Sequence, residues 1–115
     1  MQLVYIAGKY RGKTINEIYE NIQLARQHAV RLWRLGYAVL CPHTNTSLMD
    51  GVVSDETFLE GTKEMLRRCD YIYMLPNWEQ SHGAIEERIL AIQCGIPELK
   101  LDLQACNVRT LDGEQ

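Results

Sequence analysis

The sequence predicts a three-layer α/β domain, an open parallel sheet of four to five strands flanked by helices. Short apolar runs rich in β-branched and aromatic residues alternate with longer stretches that have helical spacing. Strands joined by helices favour parallel pairing with right-handed crossovers. A chain of 115 residues is long enough to bury the core of one such domain.

The first strand and the first helix have the clearest signals. Leu3–Ala7 is a short apolar run that ends at Gly8, as is typical of a buried strand. Thr14 followed three residues later by Glu17 is a capping box at the start of a helix. Its apolar stripe is Ile15, Ile18, Ile22, Ala25, Ala29 and Leu32. Gly36 is expected just past its end.

The remaining elements continue the same alternation. They are a strand at Tyr37–Cys41, a helix capped by Ser54 and running to about Arg68, a strand at Tyr71–Leu75, a helix from about Gly83 to Cys94, and a shorter strand within Pro97–Leu103. Pro42 is expected to open a polar loop. The domain is predicted to span residues 1–104, with a polar tail at 105–115.

Composition limits the partners. The net charge of -3 argues against a DNA or RNA polymer, which a basic patch would bind, but allows a small anionic ligand. The apolar runs are too short to span a membrane, and no signal peptide is evident. The four cysteines form no CxxC pair, so free thiols and a cytoplasmic location are expected. No motif predicts a metal or a cofactor.

In a flavodoxin/Rossmann-like sheet, ligands bind outside the carboxyl ends of the strands. The loop after the first strand contains Gly8 and Gly12, which allow close backbone approach, and Arg11 or Lys9, which can pair with an anion. It matches neither the G-x-G-x-x-G fingerprint nor a P-loop. A solvated basic turn is the alternative.

Glu87 is the sharpest candidate for chemistry. It shares one face of the third predicted helix with Ala84, Ala91 and Cys94, so a carboxylate lies on a stripe of small residues expected to pack on the sheet. Burying an unpaired carboxylate is costly in free energy, so Glu87 is expected to have either a side-chain partner or a functional role. The alternative is a structural glutamate near a helix start, where the macrodipole favours it.

The start of the same helix suits an anion. Gly83 allows backbone to approach a ligand, and the Ser81 hydroxyl with the free helix amides forms a possible phosphate cradle. A simple helix cap is the alternative. Trp78 and Tyr10 are expected at the mouth, where a planar base can stack on their rings. Tyr5, inside the first strand, is typical of a core residue.

Three blocks of the chain resemble the nucleoside 2-deoxyribosyltransferase superfamily. They are Tyr5-Ile6-Ala7-Gly8 with Arg11-Gly12, then Cys69-Asp70, then Ser81-His82-Gly83-Ala84-Ile85-Glu86-Glu87 with Ala91 and Gly95. The resemblance covers most of the chain up to about Pro97. The run from Cys69 to Ala84 is most similar to an uncharacterised branch common in phages and prophages.

The resemblance implies a role for each matching residue. Glu87 matches the glutamate that attacks C1′ of a 2′-deoxyribosyl group, and Tyr5 matches the tyrosine that orients it. Ser81 matches the serine of the branch that hydrolyses 2′-deoxynucleoside 5′-monophosphates, whose first loop binds the phosphate. Gly8, Arg11, Ser81 and Gly83 are therefore expected around a 5′-phosphate.

One position departs from the superfamily pattern. Thr62 stands where an acidic residue usually assists the leaving base.

The expected function is cleavage or transfer of an N-glycosidic bond in a 2′-deoxynucleotide or nucleoside. The alternatives are a non-catalytic nucleotide-binding module and a phage accessory protein with a vestigial pocket. The resemblance also implies a homodimer, because sites in this superfamily are often completed by a neighbouring subunit.

Overall fold

A five-stranded sheet with helices on both faces forms the protein. The computed structural model describes residues 1–102 and 107–110. Its elements are β1 Leu3–Ala7, α1 Ile15–Arg34, β2 Ala38–Leu40, α2 Pro42–Asn45, α3 Asp55–Arg67, β3 Tyr71–Met74, a 3-10 helix Trp78–Gln80, α4 His82–Gln93, β4 Glu98–Asp102 and β5 Asn107–Thr110. The strand order is β2-β1-β3-β4-β5, and β1 to β4 are parallel, which confirms the predicted fold class.

Alternation along β1 sends its side chains to the two faces of the sheet. Val4 and Ile6 pack into one buried cluster with the α1 residues Ala25 and Leu32. Tyr5 and Ala7 point the other way, into a cluster lined by α3 and α4 whose members include Leu66, Ala84 and Ala91. The phenol of Tyr5 is therefore carried to the side of the sheet that α4 covers.

The predicted helix caps are present. The side chain of Thr14 accepts a hydrogen bond from the Glu17 backbone N–H, and that of Ser54 accepts one from the Thr57 backbone N–H, each at 3.1 Å. Gly36 follows α1 with a φ of 98°, a left-handed conformation that favours glycine. These contacts join residues close in the chain, so short-range sequence signals predict them.

Two local predictions about helices are wrong. Ile15, predicted to lie on the buried stripe of α1, is 85% exposed, because the part of the helix that is buried lies in its second half, at Ala25, Ala29 and Leu32. The segment after β2 is not a plain polar loop. Pro42 occupies the first position of the one-turn helix α2, where its fixed φ suits a helix and its missing N–H costs nothing.

The carboxyl-terminal part of the sheet also differs from the expectation. β5 pairs antiparallel with β4, within the segment predicted to be a polar tail, so the fifth strand does not extend the parallel order. The predicted boundary at residue 104 lies outside the described residues, as does Cys106. Within the part of the chain that the structure describes, no helix combines the length and apolar character needed to cross a membrane.

The strand order places a switch point between β1 and β3. From β1 the chain first moves outward to β2, and later returns to add β3 on the opposite side of β1. The connections after β1 and β3 therefore diverge, and a crevice opens above the carboxyl ends of these two strands. The loop that begins at Gly8 and the amino end of α4 both border this crevice.

Candidate active site

A cavity of about 440 Å³ lies above the carboxyl end of β1. That volume is within the range of small-molecule sites, about 300–1,000 Å³. Its walls come from β1 and its following loop, α2 and the segment after it, α3, and the start of α4: Tyr5, Ile6, Gly8, Lys9, Tyr10, Arg11, Pro42, His43, Thr46, Met49, Asp50, Asp55, Phe58, Leu59, Thr62, Gln80, Ser81, His82, Gly83, Ala84 and Glu87.

Glu87 lies at the buried end of this cavity. It is 7% exposed, and its helical neighbours Ala84 and Ala91 are each 1% exposed. The two alanines let α4 approach the sheet closely, which brings the longer Glu87 side chain over β1. The structure thus places Glu87 on the buried face that the sequence predicts, at the carboxyl ends of the strands.

Two hydroxyl groups hold the Glu87 carboxylate. The phenol of Tyr5 donates to Oε2 at 2.5 Å, and the hydroxyl of Thr62 donates to the same oxygen at 2.7 Å. Among the residues whose side chains are described, none donates a hydrogen bond to Oε1. One carboxylate oxygen is therefore anchored, and the other is left for a ligand.

Burial and hydrogen bonding act in opposite directions on this carboxyl group. Burial raises the pKa of Glu87, whereas donation by Tyr5 and Thr62 and the nearby charge of Lys63 lower it, and Glu86 raises it further; the net direction is upward. Burial and the Glu87 charge raise the pKa of Tyr5 well above its usual value. The phenol therefore keeps its proton and acts as a donor.

Arg11 lines the opposite, exposed end of the cavity and is already paired. Its guanidinium contacts Asp50 at 2.7 Å and Asp55 at 2.5 Å. Tyr10 donates to the other Asp50 oxygen at 2.6 Å; burial and this hydrogen bond raise the pKa of Tyr10 to about 12. One positive and two negative groups leave one net negative charge, so the prediction of an Arg11 free to hold an anion needs correction.

The two predicted glycines of the cavity differ in what they permit. A Cβ on Gly8 would lie 2.7 Å from Leu75 Cβ, so close packing within the protein already requires glycine there. A Cβ on Gly83 would meet Leu59 at 3.6 Å, an ordinary contact. Ser81 caps α4 by accepting the Ala84 N–H at 3.1 Å, and it also lines the cavity.

Two predicted binding residues lie elsewhere. The ring of Trp78 packs on the α4 side of the core and faces the Arg88 guanidinium, 5.0 Å from the ring centroid, and it does not line the cavity. Gly12 packs against Glu17 instead, where an added Cβ would lie 2.5 Å from the Glu17 Cβ. The structure corrects the placement of both residues: Trp78 begins the 3-10 helix and packs toward α4, and Gly12 lies against the first turn of α1.

His43 is a cavity residue that the sequence did not single out. It is 5% exposed, and its Nε2 lies 3.0 Å from the Lys9 carbonyl oxygen, which makes Nε2 the protonated nitrogen. Its Nδ1 has no hydrogen-bond partner among the described residues. Burial lowers the pKa of His43, so the neutral ring is favoured. A histidine after a predicted strand carries no distinctive signal in sequence.

Asp50 and Asp55 were also missed, because neither belongs to a motif. Within residues 1–101, no group of three histidine, cysteine, aspartate or glutamate side chains is placed to hold a metal ion.

Residues 2–99 match a family described as a domain of unknown function, DUF4406. The chain belongs to this family. No curated protein is significantly similar to it in sequence. A solved structure of a 2-deoxyribosyltransferase from the psychrotolerant bacterium Bacillus psychrosaccharolyticus is similar in fold, with a TM-score of 0.63 and 18% identity over 84% of this chain and 69% of that one. The likeness supports the resemblance to that superfamily at the level of fold.

The geometry of this DUF4406 domain allows two roles for the Glu87 carboxylate. A buried carboxylate with one anchored oxygen can act as a nucleophile or as an acceptor toward a ligand in the cavity. The apolar walls from Phe58, Leu59 and Met49 suit a planar ring, and the amino end of α4 offers backbone N–H groups.

Proposed function

We propose that this protein binds a 2′-deoxynucleotide or deoxynucleoside in the cavity and cleaves or transfers its N-glycosidic bond through Glu87. The observation that carries the proposal is the buried Glu87 carboxylate, held through Oε2 by Tyr5 and Thr62 at the inner end of a ligand-sized cavity. The shared fold with a 2-deoxyribosyltransferase supports the same reaction class.

The proposed reaction proceeds in two displacements. Glu87 Oε1 bonds to C1′ while the C1′–N bond breaks, and the departing base keeps the bonding electron pair. The sugar is then held as an ester on Glu87. Water or a second base next attacks C1′ and loses a proton to solvent, and Oε1 recovers its electron pair as the ester bond breaks, so the configuration at C1′ is retained overall. Since Thr62 is no acid, the departing base takes its proton from solvent.

A 5′-monophosphate is the proposed form of the substrate. Ser81 and Gly83 line the cavity at the amino end of α4, where free N–H groups favour an anion, and Gly8 borders the same space. Arg11 contributes only when a ligand draws it away from Asp50 and Asp55. Ser81, which matches the serine of the branch that hydrolyses 2′-deoxynucleoside 5′-monophosphates, supports this form of the substrate.

Release of free base tests the proposal. The protein is incubated with each of the four deoxynucleosides and their 5′-monophosphates, and free base is measured by chromatography. Glu87→Gln keeps the shape and hydrogen-bonding capacity but cannot form the ester, so release should fall by about 10³-fold or more while binding persists. Undiminished release by this variant would show that Glu87 is not the nucleophile.

The second candidate is a non-catalytic module that senses or sequesters a nucleotide. Thr62 in place of an acid favours it, because no side chain at that position can protonate the leaving base. Thermal stabilisation by a deoxynucleoside monophosphate, with no base released from any of the eight compounds, would select this candidate.

We also expect the chain to form a homodimer. Ile85, Ile89 and Ile92 form an apolar stripe on the outer face of α4 and are 36%, 50% and 65% exposed. Adjacent exposed apolar side chains are typical of an interaction surface. The molar mass measured by light scattering would show one chain or two.

A further inference from the structure

Thr62 makes two contacts that its single proton cannot serve at once. Its Oγ1 lies 2.7 Å from Glu87 Oε2 and 3.0 Å from the Leu59 carbonyl oxygen. A hydroxyl group donates one proton. At any moment the hydroxyl can therefore donate either to the Glu87 carboxylate or to the Leu59 carbonyl of its own helix. Rotation about the Cβ–Oγ1 bond is enough to move the hydrogen bond from one acceptor to the other.

We propose that Thr62 is a positioning residue for Glu87, whose hydroxyl donates to Oε2 while Glu87 is ionised and turns to the Leu59 carbonyl when that charge is lost. An ionised acceptor forms the stronger hydrogen bond, so the carboxylate attracts the proton first. Once the carboxylate is neutral, the backbone carbonyl satisfies the hydroxyl without any movement of α3.

The consequence for chemistry rests on the proposed function. Because Tyr5 and Thr62 both bind Oε2, Oε1 is the oxygen that faces the reacting carbon. When Oε1 forms the ester, Oε2 becomes a neutral carbonyl oxygen and a weaker acceptor. The Thr62 proton then moves to Leu59 and returns when the second displacement restores the carboxylate. The Thr62 hydroxyl thus stabilises the ionised form of Glu87 more than its ester.

Of the groups around Glu87, Thr62 is the one whose substitution is easiest to interpret. Tyr5 approaches from β1, Lys63 from α3 and Glu86 from α4. Lys63 and Glu86 pair with each other at 3.2 Å, and they act on the pKa of Glu87 in opposite directions. Tyr5 also fills the core, so its removal changes packing. Thr62 can lose its hydroxyl while keeping its shape.

The test compares Thr62→Val, which is nearly isosteric but has no hydroxyl, with Thr62→Ser, which keeps it. The pKa of Glu87 is measured in the ligand-free protein by carbon-13 NMR of the side-chain carboxyl group. We expect the pKa to rise in Thr62→Val and to stay near the wild-type value in Thr62→Ser. Thr62→Ala serves the same purpose as Thr62→Val if the latter does not fold.

Activity provides the second measurement. Without the hydroxyl a smaller fraction of Glu87 is ionised at a given pH, so the pH below which kcat for base release declines should shift upward in Thr62→Val together with the Glu87 pKa, and Thr62→Ser should keep the wild-type pH profile. An unchanged Glu87 pKa in Thr62→Val and Thr62→Ala would overturn the proposal, as would an equal rise in Thr62→Ser. If the Glu87 pKa rises only in Thr62→Val and Thr62→Ala, and even the wild-type protein releases no base, the positioning role is supported and the glycosidic reaction is rejected.

Discussion

The inner and outer ends of the cavity are held by different forces. At the inner end, Glu87 is 7% exposed and its partners Tyr5 and Thr62 come from β1 and α3. At the outer end, the side chains of Arg11 and Asp55 are 53% and 73% exposed, although their ion pair is short. One end is fixed by packing around a buried carboxylate, and the other by surface charges in contact with water.

The difference indicates which end can adapt to a ligand. Buried hydrogen bonds act in a low dielectric and are costly to leave unmade. Exposed ion pairs contribute about 0–1 kcal/mol and are screened by salt. The inner end should therefore hold its geometry, whereas a ligand can displace Asp50 or Asp55 from Arg11 at small cost.

Removing one tyrosine hydroxyl at each end of the cavity should show the largest difference between the two ends. Tyr5→Phe removes the donor to buried Glu87 and should lower the free energy of unfolding by about 1.5–3 kcal/mol at neutral pH. Tyr10→Phe removes the donor to exposed Asp50 and should cost less than about 1 kcal/mol. Urea unfolding of both variants measures the difference, and equal losses would contradict the distinction between the two ends.

A pair of glycine substitutions, one in the loop after β1 and one in the first turn of α4, should test how closely the cavity walls are packed. Gly8→Ala forces a methyl group against Leu75 and should lower the free energy of unfolding by about 1–3 kcal/mol. Gly83→Ala adds only an ordinary contact with Leu59 and restricts the unfolded chain, so it should change stability by less than about 1 kcal/mol, in the stabilising direction. Thermal unfolding compares them, and a tolerated Gly8→Ala would contradict the close packing at Leu75.

Removing one acid at the outer end should change binding more than stability. Asp55→Asn leaves Arg11 with one carboxylate, so affinity for a deoxynucleoside 5′-monophosphate should rise several-fold relative to the deoxynucleoside, and the gain should shrink with salt. Glu20→Gln removes an exposed charge of α1 that does not line the cavity and serves as the control. Calorimetric titration of both variants measures the two affinities. An equal gain in affinity for the monophosphate in Glu20→Gln would show that the effect comes from net charge.

The pH dependence of stability should show the smallest effect. Burial holds the pKa of His43 below its ordinary value, so the unfolded chain binds the proton first as the pH falls. His43 therefore contributes full stability above about pH 6.5 and loses it below, by at most about 1.4 kcal/mol per pH unit. Urea unfolding on both sides of that pH should show a smaller decline for His43→Gln, and an unchanged decline would exclude His43 as its source.

Local patterns accounted for much of the fold. The bounds of β1 and α1, the caps Thr14 and Ser54, and the buried face of α4 all depend on residues within a few positions of one another. The predictions that failed needed knowledge of neighbours far along the chain. The exposure of Ile15 depends on which part of α1 other elements cover, and the pairing of β5 depends on its contact with β4.

The sequence by itself determined that the chain forms a parallel α/β sheet and that Glu87 lies on a face of small residues, because strand and helix periodicities are local properties. Short-range patterns did not identify what surrounds Glu87: the Tyr5 contact was expected from the family resemblance, and the Thr62 contact was decided by the tertiary structure. Tyr5 and Thr62 are 82 and 25 positions away from Glu87, and Arg11 meets its two carboxylates 39 and 44 positions away. Rules based on local spacing cannot predict such contacts, because these arise only when the helices pack on the sheet and bring distant side chains within hydrogen-bond distance.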